Sequence, residues 1–551
     1  MSTIINTVFP HLIKDIKSWP IIRFCNEITS FKKNIVEKIY QELIKKYGDN
    51  LKSELESCAY SELNRIKNSP WKVDPPEEEA FWTFIRKELI NEEGTSNNEN
   101  IQFLLKRIIN RYIEEIVGDF KEETFNWTRI ILPVFLSKIL NSGFKGSIFY
   151  PFKRSALKNK LLLAGHVEEA RGLFDKGLVV LLPTHQSNLD SAILGYTIDY
   201  KVGMPAFSYG AGLNLFNYEI PAYFMSKLGA YKVDRRKKNS IYINSLLEYS
   251  KYSLVENVNT VFFPGGTRSR SGRIETDLKT GLLSSLVSAQ YLKLKDGDKQ
   301  KIFVIPVVLN YHSVLEARYL IYSYLKNDGK TKYLSRTKYK EKMNSTIWLI
   351  KFLYNLFSRQ SEFVMSFGKP LDVLGNRVDN NGVSLDKNGT VIDITDYFKT
   401  EGDLVEDTQR NSVYTKYLSQ SVARSYLEHN VVLTSHIVAL AAYKCFLDTL
   451  EIEDVYSIFK YMEKDVSITK EKLLVKIDET LSKVLKLEKE GKLLVADEVK
   501  TTIDDILMTG INKLGVFHVF KVLYFVKGGL IKTQDFGLLY YYANRLSFLN
   551  E

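Results

Sequence analysis

A histidine followed five residues later by an aspartate is the first arrangement in this chain able to do acid–base chemistry. His185 and Asp190 lie in Leu181-Leu182-Pro183-Thr184-His185-Gln186-Ser187-Asn188-Leu189-Asp190, where an apolar run breaks into a polar turn. Of the seven histidines, only His185 has an acidic residue at that offset. A neutral imidazole near physiological pH can take the proton of an attacking alcohol. A carboxylate on its far ring nitrogen would hold it in one tautomer and one orientation. The offset does not stack two side chains on one helix face. It suits a histidine in a turn and an aspartate in the first turn of the next helix, with Ser187 or Asn188 as the cap. Taken alone, the pair is also what a turn histidine and a capping aspartate look like.

A second stretch narrows the chemistry. Phe262-Phe263-Pro264-Gly265-Gly266-Thr267-Arg268-Ser269-Arg270-Ser271-Gly272-Arg273 is another apolar run, and it ends in a glycine-rich loop with three arginines. Gly265 and Gly266 would let backbone amides approach an anion, and Arg268, Arg270 and Arg273 offer forked donors that match phosphate. By itself such a loop reads as solvated basic surface. A general base at one strand end and a phosphate cradle at another suit group transfer to a small phosphorylated alcohol.

The elements that must position these residues follow from hydrophobic patterning. Residues 1–165 read as a helical region, with heptad-like apolar spacing over Ile35 to Tyr47 and a helix start at Asp74-Pro75-Pro76-Glu77-Glu78-Glu79, capped by Asp74. Residues 166–375 read as an α/β domain. Short apolar runs at Leu178–Leu182, Thr260–Phe263, Ile302–Leu309 and Phe363–Gly368 alternate with helical stretches at Ser240–Val255 and Gly281–Leu294. This predicts a central mixed sheet flanked by helices, with both motifs beyond strand ends in one crevice. Residues 376–404 form a hairpin-like linker with turns at Asn381-Gly382 and Asn388-Gly389. Residues 405–551 read as a second all-helical region.

The 551 residues are enough for two or three domains, and 45% hydrophobic content excludes a disordered chain. Three scattered cysteines, Cys25, Cys58 and Cys445, make neither a disulfide framework nor a zinc set, so a reducing compartment is expected. No secretory signal and no membrane span is read. Ile130–Phe144, Ile347–Phe357 and Leu514–Ile531 come partway, as core or interfacial helices. The net charge of +11 favours acidic partners, and Arg235-Arg236-Lys237-Lys238 is the densest cationic cluster near the motifs.

In order and spacing these blocks resemble the glycerophospholipid acyltransferase superfamily, most of all its bacterial glycerol-3-phosphate acyltransferase branch. His185 to Asp190 is similar to the first block. Gly210 to Leu215 with Leu228 to Arg235 resembles the second, Phe263 to Arg273 with Lys279-Thr280-Gly281 the third, Val304 to Val308 with Tyr311 the fourth, and Phe367-Gly368-Lys369-Pro370-Leu371 the closing strand. The resemblance implies that His185 is the general base and that Asp190 orients it. Arg268, Arg270 and Arg235 would bind the acceptor phosphate. Gly212, Asn214, Gly265, Gly266 and Thr267 would shape the acceptor pocket, and Pro306 the acyl side. The implied reaction moves a fatty acyl group from acyl-CoA or acyl carrier protein to the sn-1 hydroxyl of glycerol 3-phosphate. Lysophosphatidate and dihydroxyacetone phosphate are the alternative acceptors, and a basic membrane- or nucleic-acid-binding scaffold is the alternative outside enzymes. No cofactor, metal or nucleic-acid partner is expected. Peripheral attachment to the anionic cytoplasmic face of a membrane is expected, through Arg235 to Lys238. One position departs from the pattern: the third block usually reads F-x-E-G, and Gly265 stands where the glutamate would be. Restoring it by Gly265→Glu is expected to sharpen acceptor choice, provided Gly265 needs no positive φ.

Overall fold

Apolar runs too short for helices become strands buried on both faces. In β3 (Gly177–Pro183), Val179 and Leu181 pack into one core, while Leu178, Val180 and Leu182 pack into another on the opposite side. β7 (Lys301–Tyr311) divides the same way, with Phe303 and Ile305 on the first side and Ile302 and Val304 on the second. This is the two-residue period of a strand covered above and below. The protein was analysed as a computed structural model that describes residues 4–75, 77–91, 98–140, 157–213, 226–327, 361–452 and 466–550.

These strands belong to an eight-stranded mixed sheet of order β1-β2-β8-β7-β3-β6-β4-β5. The others are β1 (Ile4–Ile5), β2 (Leu161–Gly165), β4 (Ser208–Gly212), β5 (Ala230–Val233), β6 (Thr260–Val261) and β8 (Phe363–Phe367). The β1–β2 and β7–β8 pairs are antiparallel and the rest are parallel. The expected central mixed sheet flanked by helices is therefore what the chain forms. Two of its strands, β1 and β2, come from the stretch read as helical. Runs of two and five residues carry too little periodicity to compete with the helices around them.

The N-terminal helices are α1 (Pro20–Asn26), α2 (Ile28–Tyr47), α3 (Leu51–Asn68), α4 (Glu78–Asn91), α5 (Asn98–Ile116) and α6 (Glu122–Ile139). Ile39, Leu55, Trp82, Ile108 and Tyr112 form their core, which extends onto Tyr231 and Ile241 of the sheet domain. The helix start expected at Asp74 lies later. α4 begins at Glu78, and the Asp74 carboxylate accepts the Trp71 amide at 2.7 Å and pairs with Arg236. A long-range cation outweighs the local capping role there.

The sheet domain contributes α7 (Val167–Gly172), α8 (Asp190–Thr197), α9 (Ser240–Val255), α10 (Thr280–Lys295) and α11 (Ala317–Asn327). The turns at Asn381-Gly382 and Asn388-Gly389 join three short antiparallel strands. Beyond them lie α12 (Thr408–Glu428), α13 (Thr434–Leu450), α14 (Lys470–Lys489), α15 (Ile503–Lys513) and α16 (Phe536–Ala543). This last region is not purely helical. Val431–Val432 pairs with Leu494–Val495, and Ile468–Thr469, Leu530–Lys532 and Tyr524–Phe525 form a small sheet. Nor is it separate. α12 with α10 covers one face of the sheet, and α13 and α16 join the core on the other.

Among the described residues no helix is long and apolar enough to cross a membrane. Residues 347–357 lie outside the described part. Leu514–Ile531 follows α15 as turns and short strands rather than a helix.

Candidate active site

Pro183 closes β3, and Asp190 opens α8 after a six-residue turn. The turn is organised by the aspartate. Asp190 is fully buried, and its Oδ2 faces His185 Nδ1 at 2.7 Å, the Gln186 amide at 2.6 Å and the Ser187 amide at 2.9 Å. Its Oδ1 accepts from the Tyr311 hydroxyl at the end of β7. Neither Ser187 nor Asn188 caps α8 with its side chain. The aspartate instead gathers the turn's amides onto itself. With Nδ1–H given to Asp190, Nε2 is left as the proton-accepting nitrogen. The ring stacks on Phe263, with centroids 4.2 Å apart, and retains 17% side-chain exposure.

The second motif meets the first. The Ser269 amide donates to the His185 carbonyl at 2.7 Å, so the arginine loop lies beside His185, as the strand-end reading expected. Arg268 is held 3.4 Å from Glu316. Arg270, Arg273 and Thr267 are exposed. Gly266 has φ +74°, which only glycine adopts without strain, whereas Gly265 lies outside the positive-φ region. Gly212 ends β4, and Arg235 follows β5 and is exposed. Pro306 is buried within β7, its carbonyl accepting the Gly368 amide at 2.8 Å. Among the described residues no hydrogen bond links Gly212, Arg235 or Pro306 to His185. Asn214 lies outside the described residues.

Three residues of the site had no signal in the motifs. Glu316 accepts from Ser187 Oγ at 2.9 Å and from the Asn188 amide at 3.1 Å, tying the turn to Arg268. Glu275 accepts the His185 amide through Oε1 at 3.0 Å. Among the described residues its Oε2 is buried without a hydrogen-bond partner, and burial pushes the carboxyl up to about 8. The third is Arg545, near the C-terminal end of the chain. It is buried, donating to Asn430 Oδ1, Asn310 Oδ1 and the Leu309 carbonyl. Burial lowers it to about 10, against the pull of Tyr541, Glu275 and Asp190. Three weak signals precede this geometry: Glu275 is the first of two acids between Arg273 and Lys279, Glu316 follows Tyr311, and Arg545 is a charge in an aromatic run.

The Gly265 position is explained by the same carboxyl. An ideal Cβ at Gly265 would lie 2.5 Å from Glu275 Oε2. The space of the expected glutamate is already occupied by one arriving from position 275. The expectation for Gly265→Glu is thereby corrected, because the obstacle is this carboxyl and not a positive φ.

The cationic cluster is also corrected. Arg236 pairs with Asp74 and Asp234, and Lys237, with 2% side-chain exposure, is enclosed by Glu62, Glu78 and Glu115. These two cations hold the N-terminal helices against the sheet domain. Only Arg235 and Lys238 face outward.

Comparisons with known proteins cover the stretch of chain that carries both motifs. The Acyltransferase family model matches residues 165–310. A glycerol-3-phosphate acyltransferase of Pseudomonas aeruginosa is 28% identical over 286 residues, covering 52% of this chain and 30% of the relative. One from Pseudoalteromonas atlantica is 24% identical over 298 residues, covering 54% and 32%. The match thus spans about a third of the length of these relatives. A solved 1-acyl-sn-glycerophosphate acyltransferase from Thermotoga maritima is 12% identical, covering 67% of this chain and 93% of that one at a TM-score of 0.24, a likeness too low to carry an argument. Residues 165–310 are thus matched by the Acyltransferase family model, and over about half of its length the chain is similar to relatives named for glycerol 3-phosphate.

Proposed function

We propose that the protein transfers a fatty acyl group from a thioester, acyl-CoA or acyl carrier protein, to the sn-1 hydroxyl of glycerol 3-phosphate. The observation that carries the reading is the 2.7 Å contact of His185 Nδ1 with buried Asp190, beside a loop bearing exposed arginines. Nε2 takes the hydroxyl proton as the alcohol oxygen attacks the thioester carbonyl carbon. The tetrahedral intermediate collapses, the carbon–sulfur bond breaks, and the imidazolium returns the proton to the departing thiolate. No covalent enzyme intermediate is needed. Asp190 stabilises the imidazolium without being protonated itself. Arg268 and Arg270 supply charge-assisted donors to the acceptor phosphate, with Arg235 assisting.

The test is an acceptor panel with purified protein, reading thiol release from acyl-CoA and from acyl carrier protein. Turnover with glycerol 3-phosphate supports the reading. Turnover only with lysophosphatidate or dihydroxyacetone phosphate moves the acceptor, and no thiol release with any of them overturns it.

An amphiphilic product calls for access to a bilayer, and the reading includes peripheral attachment to an anionic membrane surface. α6 supports this. Trp127, Ile130, Ile131, Val134 and Phe135 recur at helical spacing on one face, and all five are exposed, Trp127 by 63%. Exposed aromatic and aliphatic residues along one helix face are the form of an interfacial helix. The opposite side of α6 packs on α8, the helix that Asp190 begins.

A further inference from the structure

Gly265 and Glu275 fit together as one unit. A methyl group at 265 would sit 2.5 Å from Oε2 and 2.6 Å from Cδ of Glu275, so a side chain there would displace the Glu275 carboxyl from its present place. Gly265 has no positive φ, so glycine is required there for room and not for backbone conformation. The room houses a carboxyl at some cost, since its Oε2 is buried without a partner. What the arrangement gives in return is a fixed base. The His185 amide is held by Glu275 Oε1 and its carbonyl by the Ser269 amide, so both flanking peptide groups are anchored from the arginine loop. Asp190 then orients the ring and Phe263 backs it. The charged and titratable groups facing the Glu275 carboxyl are His185, Asp190, Arg545 and Tyr426.

We propose that Glu275 is the positioning residue of the base: its carboxyl, housed where Gly265 lacks a side chain, fixes the His185 backbone and so aims the ring that Asp190 orients. The proposal rests on reading His185 as the base.

The experiment uses four variants of the full chain: Gly265→Ala, Glu275→Ala, Glu275→Gln and the double Gly265→Ala/Glu275→Ala. Each is measured for Tm, for kcat and KM with both substrates, and for the His185 imidazole titration by NMR, with the signal assigned by its loss in His185→Ala. Gly265→Ala is expected to lower Tm, and Glu275→Ala in the same chain to restore most of the loss. Additive losses would overturn the shared space. Glu275→Ala is expected to lower kcat roughly 2- to 10-fold, the scale of one lost hydrogen bond to a neutral carboxyl. Both KM values should stay within about threefold. Glu275→Gln retains an acceptor for the His185 amide and should recover most of kcat. In both Glu275 variants the His185 titration should shift. An unmoved titration with unchanged kcat would overturn the positioning role. The Tm cycle and the titration need no substrate. If the protein transfers no acyl group but these two readouts behave as stated, the function fails and the Glu275–His185 coupling stands.

Discussion

In the turn from Thr184 to Asp190 the protein supplies the partners itself, whereas in the loop from Pro264 to Arg273 it leaves arginines facing outward. Asp190 collects His185, two amides and the Tyr311 hydroxyl, all within a buried pocket. Arg270 and Arg273 stand exposed on a loop whose backbone is nonetheless pinned to the turn. The difference follows from what each must do. A base works best in a fixed geometry whose organisation is complete before the substrate arrives. A phosphate site needs donors that the protein has not already used. Glu275 stands between the two, with one oxygen engaged and one not, and Arg268 stands there too, shared with Glu316.

The largest expected effect comes from breaking the closed turn. His185→Ala should lower turnover by about 10²–10⁴-fold with the fold retained, since a lost general base costs that much. Asp190→Asn should also slow turnover severely, and it should lower stability as well. An amide in that place turns an NH₂ group toward donors the carboxylate accepts, and an unmatched buried polar group costs about 1–3 kcal/mol. Steady-state kinetics with circular dichroism and thermal melts check both. Near-full activity in folded His185→Ala protein would remove His185 from the mechanism.

Glu275 should show its half-closed state in the pH dependence of stability. Its carboxyl rises from the usual 4.5 to about 8 on folding, chiefly by burial. Between those values the folded protein holds a proton that the unfolded chain has released. The stabilisation is fully present below about pH 4.5, declines as pH rises, and is gone above pH 8. Glu275→Gln has no such proton, so wild-type stability should fall relative to the variant across that window, by on the order of 5 kcal/mol. Chemical denaturation at a series of pH values measures the difference. Parallel curves would show a carboxyl that is ionised in the folded state.

The two arginines should separate according to how open each is. Arg270→Ala is expected to raise KM for the phospho-alcohol roughly 10- to 150-fold with Tm unchanged, since a charge-assisted contact contributes about 1.5–3 kcal/mol. Arg268→Ala should weaken the same substrate and also lower Tm slightly, because Glu316 loses its cation while still holding Ser187 and Asn188. Equal weakening of thioester and alcohol by Arg270→Ala would assign it a structural role.

The contrast between closed and open groups also explains how far the sequence could be read. The four central strands, the helices at 240–255 and 281–294, and the meeting of His185 with the arginine loop follow from local pattern, because apolar runs and turn residues act over a few positions. Glu316 and Arg545 did not emerge, since each reaches the site from another part of the chain and no periodicity encodes that approach, and Glu275, two residues past the arginine loop, did not emerge because no local pattern shows which way its carboxyl turns. Asp74 looked like a cap until a cation from position 236 claimed it. Arg236 and Lys237 looked like free surface charge because the acids that enclose them, Glu62, Glu78 and Glu115, belong to the N-terminal helices. Net charge counts such pairs as if they were separate.

That cluster gives the smallest test of the contrast. If open cations meet a membrane and closed ones hold the fold, the four neighbours should behave in two ways. Arg235→Ala and Lys238→Ala should leave Tm unchanged and each weaken binding to anionic vesicles by about 1 kcal/mol, the contribution of one basic residue near a charged surface. The loss should shrink as salt is raised. Lys237→Met should instead act on stability, because it removes one of the buried cations that balance Glu78 and Glu115, leaving them to Arg65 and Arg111. The apolar stripe of α6 provides the control. Ile131→Ser with Phe135→Ser should weaken vesicle binding at every salt concentration, since the lost contact is with the acyl boundary and not with the head groups. Sedimentation with vesicles of anionic and of neutral lipid separates the contributions. Binding that survives both the α6 pair and the two open cations would move the membrane face elsewhere on the protein, and a salt-independent loss from Lys238→Ala would show that this residue is not an open charge at all.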